Sequence, residues 1–183
     1  AQKTRFISVE MKYDVNVWAK WAEKASIDGR CINFMLMHPE LVTQRVNPRS
    51  ITTFFNGISS IPKFEDELPL VQMIGEGSVG TDFSSMFTMF INNKLDKMIS
   101  PEDLLTKDEA YVKGALLASV GEGDEFRADL SSVIATRVIN YALTVAEKGS
   151  VPKAMIDRLA KLTTEFDGFT NDLRYYMVKE IVN

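Results

Sequence analysis

The sequence predicts a mainly α fold, a multi-helix bundle with one N-terminal extended strand. Two observations carry the helices: apolar residues recur three and four apart along most of the chain, and helix-capping residues stand ahead of those stretches. A third sets the strand apart. From Lys3 to Met11, Ile7, Val9 and Met11 alternate with Ser8 and Glu10, the period of a half-buried strand, and no second such stretch follows. A lone strand leaves its backbone N–H and C=O groups unpaired. A partner sheet is therefore expected in another chain or in an upstream domain, and Ala1 in place of Met suggests processing, a removed tag or a cut from a longer protein.

After Asp14, a candidate N-cap, Val17, Trp18, Trp21, Ala22 and Ala25 mark the first helix. Asp28 caps a second with Ile32, Met35 and Leu36, which His38-Pro39 ends or kinks. Asn47-Pro48-Arg49-Ser50 places Asn at the N-cap and Pro at the first helical position, ahead of Ile51, Phe54, Phe55 and Ile58. Pro62 and Pro69 bracket an acidic stretch. Gly75, Gly77 and Gly80 then lead into a helix with Phe83, Phe87, Phe90 and Ile91 on one face.

Periodicity fades between Leu95 and Thr106, where Ser100-Pro101 with Asp103 reads as a new cap, so a soft boundary falls there. Thr106 and Glu109 offer a capping box. Phe126, Leu130, Val133, Ile134, Tyr141 and Val145 line the longest helix, which Gly149 stops. Two shorter helices follow, one with Met155, Ile156, Leu159 and Leu162, the other with Leu173, Tyr176, Met177 and Ile181. No repeat of solenoid period and no low-complexity segment is present.

The 183 residues, 45% hydrophobic, suffice for one core or two small helical cores. A net charge of −4 without a basic stripe argues against a nucleic-acid partner. One cysteine, Cys31, and one histidine, His38, leave no disulfide and no zinc spacing, as expected of a reducing, cytoplasmic setting. Charge or glycine interrupts every apolar stretch before about 18 residues, so no membrane partner is expected.

Arg49 is the residue most suggestive of chemistry. A cation in the first turn of a helix opposes the helix dipole by about 0.3–1 kcal/mol, whereas a nearby anion would turn guanidinium and free N–H groups into a phosphate site. The competing reading is a solvated arginine. The three glycines lack the Lys-Ser/Thr of a phosphate-binding loop and suit helix termination or close packing. Cys31 and His38, seven apart, have no orienting third group, and read as a buried thiol and a helix-end imidazole. The acidic runs Glu65, Asp66, Glu67 and Glu122, Asp124, Glu125 read as solvated faces. Met35, Met37, Met73, Met86 and Met89 read as adaptable core.

The order TRFISVEM, VWAKWAEK, IDGRCINFMLMHPELV, NPRSITTFFNGIS, GEGSVGTDFSSMF resembles the region downstream of the ATPase core in MoxR-type AAA+ proteins of phage and bacterial type, over about residues 1 to 95. The resemblance implies that residues 1–12 leave an α/β nucleotide-binding core, that 13–95 form a helical lid, and that 96–183 are a helical extension. Arg49 would be the sensor-2 arginine, with Pro48 setting its helix start, and Arg5-Phe6 would match the pair that ends the core. ATP and Mg would be held in the full-length protein, which would work with its upstream core, assemble as a ring of copies and act on a protein client. The departures are large. No phosphate-binding loop, no apolar run ending in Asp-Glu and no sensor-1 asparagine is present, so the chain alone is expected to hydrolyse no nucleotide. A second expectation is a stand-alone helical adaptor whose strand adds to a partner's sheet edge. A third, a small enzyme using paired carboxylates, has no spacing to support it.

Overall fold

The computed structural model describes residues 12–93 and 98–182. Within them the chain is a multi-helix bundle of ten α-helices joined by short 3-10 turns, as the periodicity predicts. The strand expected over Lys3 to Met11, and Arg5 within it, lie outside the described residues.

Local chemistry sets most of the boundaries. Asp14 Oδ1 accepts the N–H of Asn16 at 2.8 Å and opens α1 (Val15–Lys24), and Asp28 Oδ1 accepts the N–H of Arg30 at 2.9 Å and opens α2 (Gly29–Met37). α2 stops at His38 because the ring of Pro39 excludes helical dihedrals from the residue before it. α3 (Pro48–Ile58) starts where Asn47-Pro48 predicts.

The glycines divide their work in a way the spacing did not reveal. Gly75 and Gly77 lie inside α4 (Leu68–Ser78), and Gly80, at φ +92°, makes the turn into α5 (Thr81–Asn92). A Cβ on Gly75 would stand 2.6 Å from Ser84 Cβ and 3.2 Å from the Phe54 ring. This bare spot on α4 is what lets α3, α4 and α5 meet so closely.

In the second half, Ser100 Oγ accepts the N–H of Asp103 at 3.0 Å and opens α6 (Pro101–Thr106). Thr106 is not the cap of the next helix: it closes α6, and Asp108 caps α7 (Glu109–Val120) through the N–H of Tyr111 at 2.9 Å. Phe126 likewise precedes the longest helix, α8 (Ala128–Lys148). Gly121, at φ +73°, ends α7, where any Cβ would meet the backbone oxygen of Glu125 at 2.5 Å. After Gly149 come α9 (Lys153–Thr164) and α10 (Asn171–Val182).

Two apolar cores result. In the first, Phe34 meets Phe83, Phe87 and Phe90 edge-on with centroids 5.1–5.4 Å apart, and Phe54 meets Phe87 at 5.3 Å. Such pairs each add about 0.5–1.5 kcal/mol beyond burial. The second core packs α6, α7, α9 and α10 around α8 through aliphatic residues with Phe166 and Phe169. Met37 and Met98 touch both cores, and α8 rests against α1 and α2. No helix among the described residues is long and apolar enough to cross a membrane.

Several of the apolar residues that mark the helical spacing are exposed, among them Met73 and Met89, which read as core in the sequence. Val17 and Trp21 stand out from α1, and Met73 and Met89 from α4 and α5. Ile156 and Ile181 line an open apolar groove of about 370 Å³ between α8, α9 and α10.

Candidate functional site

Asn47 and Ser50 build the start of α3 around Arg49. Asn47 Oδ1 accepts the N–H groups of Arg49 and Ser50, each at 3.1 Å, and Ser50 Oγ accepts the N–H of Asn47 at 3.1 Å. This reciprocal cap changes the sequence-based reading, because first-turn N–H groups that an anion would use are already taken. What remains for an anion is the guanidinium. Arg49 is exposed, with no side-chain hydrogen bond or ion pair among the described residues.

Pro48 and Arg49 line a groove of about 390 Å³ together with Trp18 and Trp21 of α1 and Thr52 and Thr53 of α3. The two indoles lie 6.4 Å apart at 51°, and Trp18 also packs on Phe55 at 6.1 Å. Trp18 is buried, and its Nε1–H has no partner among the described residues. Thr52 and Thr53 donate their hydroxyls back to the carbonyls of Pro48 and Arg49 at 2.8 and 3.0 Å. The groove thus offers one cation beside an aromatic wall. Nothing in the spacing linked Trp18 and Trp21 to Arg49; the packing of Trp18 on Phe55 of α3 does.

The fit to ATP is correspondingly narrow. A triphosphate needs several convergent N–H groups and a lysine. Gly75 and Gly77, within α4, give their N–H groups to helix bonding instead. The groove supplies one cation and no cradle of N–H groups, and no hydrolytic step follows from these residues. No group of three or more His, Cys, Asp or Glu residues among those described is arranged to hold a metal ion.

The remaining candidates fall apart in space. Cys31 is fully buried, and burial, with Asp28 adding to it, pushes its thiol well above the ordinary range. His38 caps α2, lies tilted at 48° against Phe34 with centroids 5.0 Å apart and places Nδ1 3.2 Å from Glu40 Oε1. Glu65, Asp66 and Glu67, and Glu122, Asp124 and Glu125, are all exposed. One open cleft of about 720 Å³ does gather Glu40, Glu76 and Asp82 with Arg45, a grouping from distant segments that no spacing indicated. All three carboxylates face water.

No family model, no curated protein and no solved structure matches this chain.

Proposed function

We propose that this chain is the C-terminal helical portion of a MoxR-type AAA+ ATPase, which closes over ATP bound to an upstream core and couples hydrolysis to a protein client. One observation supports the reading: the Arg49 guanidinium, uncommitted among the described residues, lines a groove walled by α1. That helix follows directly on the segment resembling the end of an ATPase core. An arginine with a structural task is normally held by carboxylates or carbonyls, as Arg137 and Arg174 are here. Arg49 is held by none among the described residues, which suits a cation that meets an anion presented from outside.

In this reading Pro48 and the Asn47–Ser50 cap fix the direction of the first turn, and Arg49 adds positive charge where phosphoryl transfer develops negative charge. Mg and the phosphate cradle belong to the core, and copies assemble as a ring. Arg5 would mark the end of that core. The adaptor reading stays second, favoured by the apolar openings at α4–α5 and at α8–α10.

The test is ATP turnover by the intact polypeptide that carries this chain. A charge-assisted contact to the transferring group is worth about 1.5–3 kcal/mol, so Arg49→Ala should lower turnover about tenfold or more. Wild-type turnover in that variant, or the lack of an upstream phosphate-binding loop, overturns the proposal.

A further inference from the structure

Arg137, Asn140 and Thr144 share one face of α8 with Val133 and Glu147, at steps of three and four residues, and the bonds from Arg137 to Glu23 and Asn33 turn that face toward α1 and α2. Val133, Arg137, Asn140 and Thr144 are all buried there. On the opposing side Ala19 stands four residues before Glu23 on α1, and Gly29 four before Asn33 on α2, so that surface is small and polar as well. The apolar side of α8 points elsewhere: Leu130, Ile134, Val138 and Ile139 lie in the second core, with partly buried Tyr141 packed against it.

The chemistry of this seam favours parting over unfolding. The Thr144 hydroxyl donates back to the Asn140 carbonyl at 2.8 Å within α8, and Asn140 Nδ2 is buried without a partner among the described residues. An ion pair taken out of water gains little over its hydrated state, and an unpartnered amide is better off hydrated. Separating the helices therefore wets polar groups, whereas opening either core would wet phenylalanine and leucine side chains. The two residues that touch both cores, Met37 and Met98, are partly buried thioethers, which adapt to a shifted neighbour. A polar contact between helical units of one chain is the kind that permits relative motion.

We infer that the α8 face of Val133, Arg137, Asn140 and Thr144 is an opening seam, at which the half built on α1–α5 and the half built on α6–α10 part as rigid bodies. Each half keeps its helices and its apolar core, so opening lies below global unfolding in free energy. The inference is independent of any role for Arg49 toward phosphate.

The test is iodoacetamide labelling of the 183-residue chain, located by peptide mass mapping. Val133→Cys and Thr144→Cys place thiols on the seam, Ile139→Cys places one in the second core, and the native Cys31 reports on the first. Without denaturant both seam thiols should label about tenfold or more faster than the two core thiols, at rates within about threefold of each other. Their rates should rise only slightly with urea, because parting exposes a small share of the surface that unfolding exposes. Adding Glu23→Leu with Arg137→Met, which makes the seam apolar, should slow both by about tenfold or more. Cys31 alone carries the comparison if Ile139→Cys loosens the second core. Seam thiols as slow as Cys31 overturn the proposal. So does labelling of Thr144→Cys without Val133→Cys, which would mean fraying of α8 toward Gly149. Equal urea dependence of seam and core thiols would mean unfolding, and unchanged seam rates in the apolar variant would mean that polarity does not govern the contact; either overturns it as well.

Discussion

Arg137 on α8 donates its Nε–H to Glu23 Oε1 on α1 at 2.8 Å, and its Nη1–H to Asn33 Oδ1 on α2 at 3.1 Å. Both charged side chains are about nine-tenths buried. The guanidinium lies over Gly29, where a Cβ would come within 2.8 Å of Nη2. A buried ion pair therefore joins the two halves within the packing of α8 on α1 and α2, and the more exposed pair Lys24–Glu147 also spans α1 and α8. The residues came from positions 114 apart and nothing in the sequence paired them.

Removing one partner strands the other charge in a low-dielectric interface. Arg137→Ala should cost about 3–5 kcal/mol, measured by urea unfolding, whereas Glu23→Leu with Arg137→Met should recover most of the loss. Equal destabilisation by the single and double variants would mean that packing, not charge, dominates this contact.

Gly75→Ala places a methyl group 2.6 Å from Ser84 Cβ, the fixed base of a side chain rather than a flexible end that could yield, and 3.2 Å from the Phe54 ring. α4 and α5 would have to separate, at about 1–3 kcal/mol. Gly77→Ala is the control, because a Cβ there meets nothing within 4 Å. It should be neutral or slightly stabilising, since alanine favours the helix. Thermal unfolding of the two variants provides the comparison.

Glu109 on α7 accepts from Lys161 Nζ on α9 at 2.8 Å and pairs with Lys113 at 3.0 Å. The hydrogen bond from Lys161, then that from Lys113, lower its carboxyl from the ordinary 4.5 to about 2. A depressed folded-state value means that the contribution is complete above pH 4.5 and is lost as pH falls towards 2. Glu109→Gln should flatten part of the acid-unfolding slope in that window while changing little at neutral pH beyond the loss of a solvent-screened pair. An unchanged slope would remove Glu109 from the acid response.

Cys31 should resist alkylation in the folded chain, because its thiol is inaccessible and its ionisation is opposed by burial. Iodoacetamide labelling should track global unfolding in urea. Rapid labelling without denaturant would show that α2 opens locally, and would place Cys31 among the reactive groups.

Helix character was legible along the chain because capping and periodicity are local. Asp14, Asp28, Asn47 and Ser100 each bond to an N–H two or three residues ahead, so their roles were readable where they stood. Local rules misled where two signals overlapped. Thr106 and Asp108 compete for the same helix start, and Phe126 lies in apolar phase with α8 although Gly121 has already turned the chain. Arg49 was readable as an unusual cation in a first turn. That Asn47 takes the first-turn N–H groups, and that Trp18 and Trp21 wall the groove, depended on side-chain direction and on the packing of Trp18 against Phe55.

By itself the sequence determined a helical chain, where several of its helices begin, a buried thiol at Cys31 and an arginine at the start of α3. Spacing identifies which residues share a helix face, but it does not say whether another helix covers that face. Tertiary structure alone decided that Phe87 is enclosed while Met89, two residues on, meets solvent, and that Glu23 finds Arg137 across the chain. The reason is physical. A helix forms from bonds within four residues, whereas burial requires a second surface, and the residues supplying it here lie as far as 114 positions away.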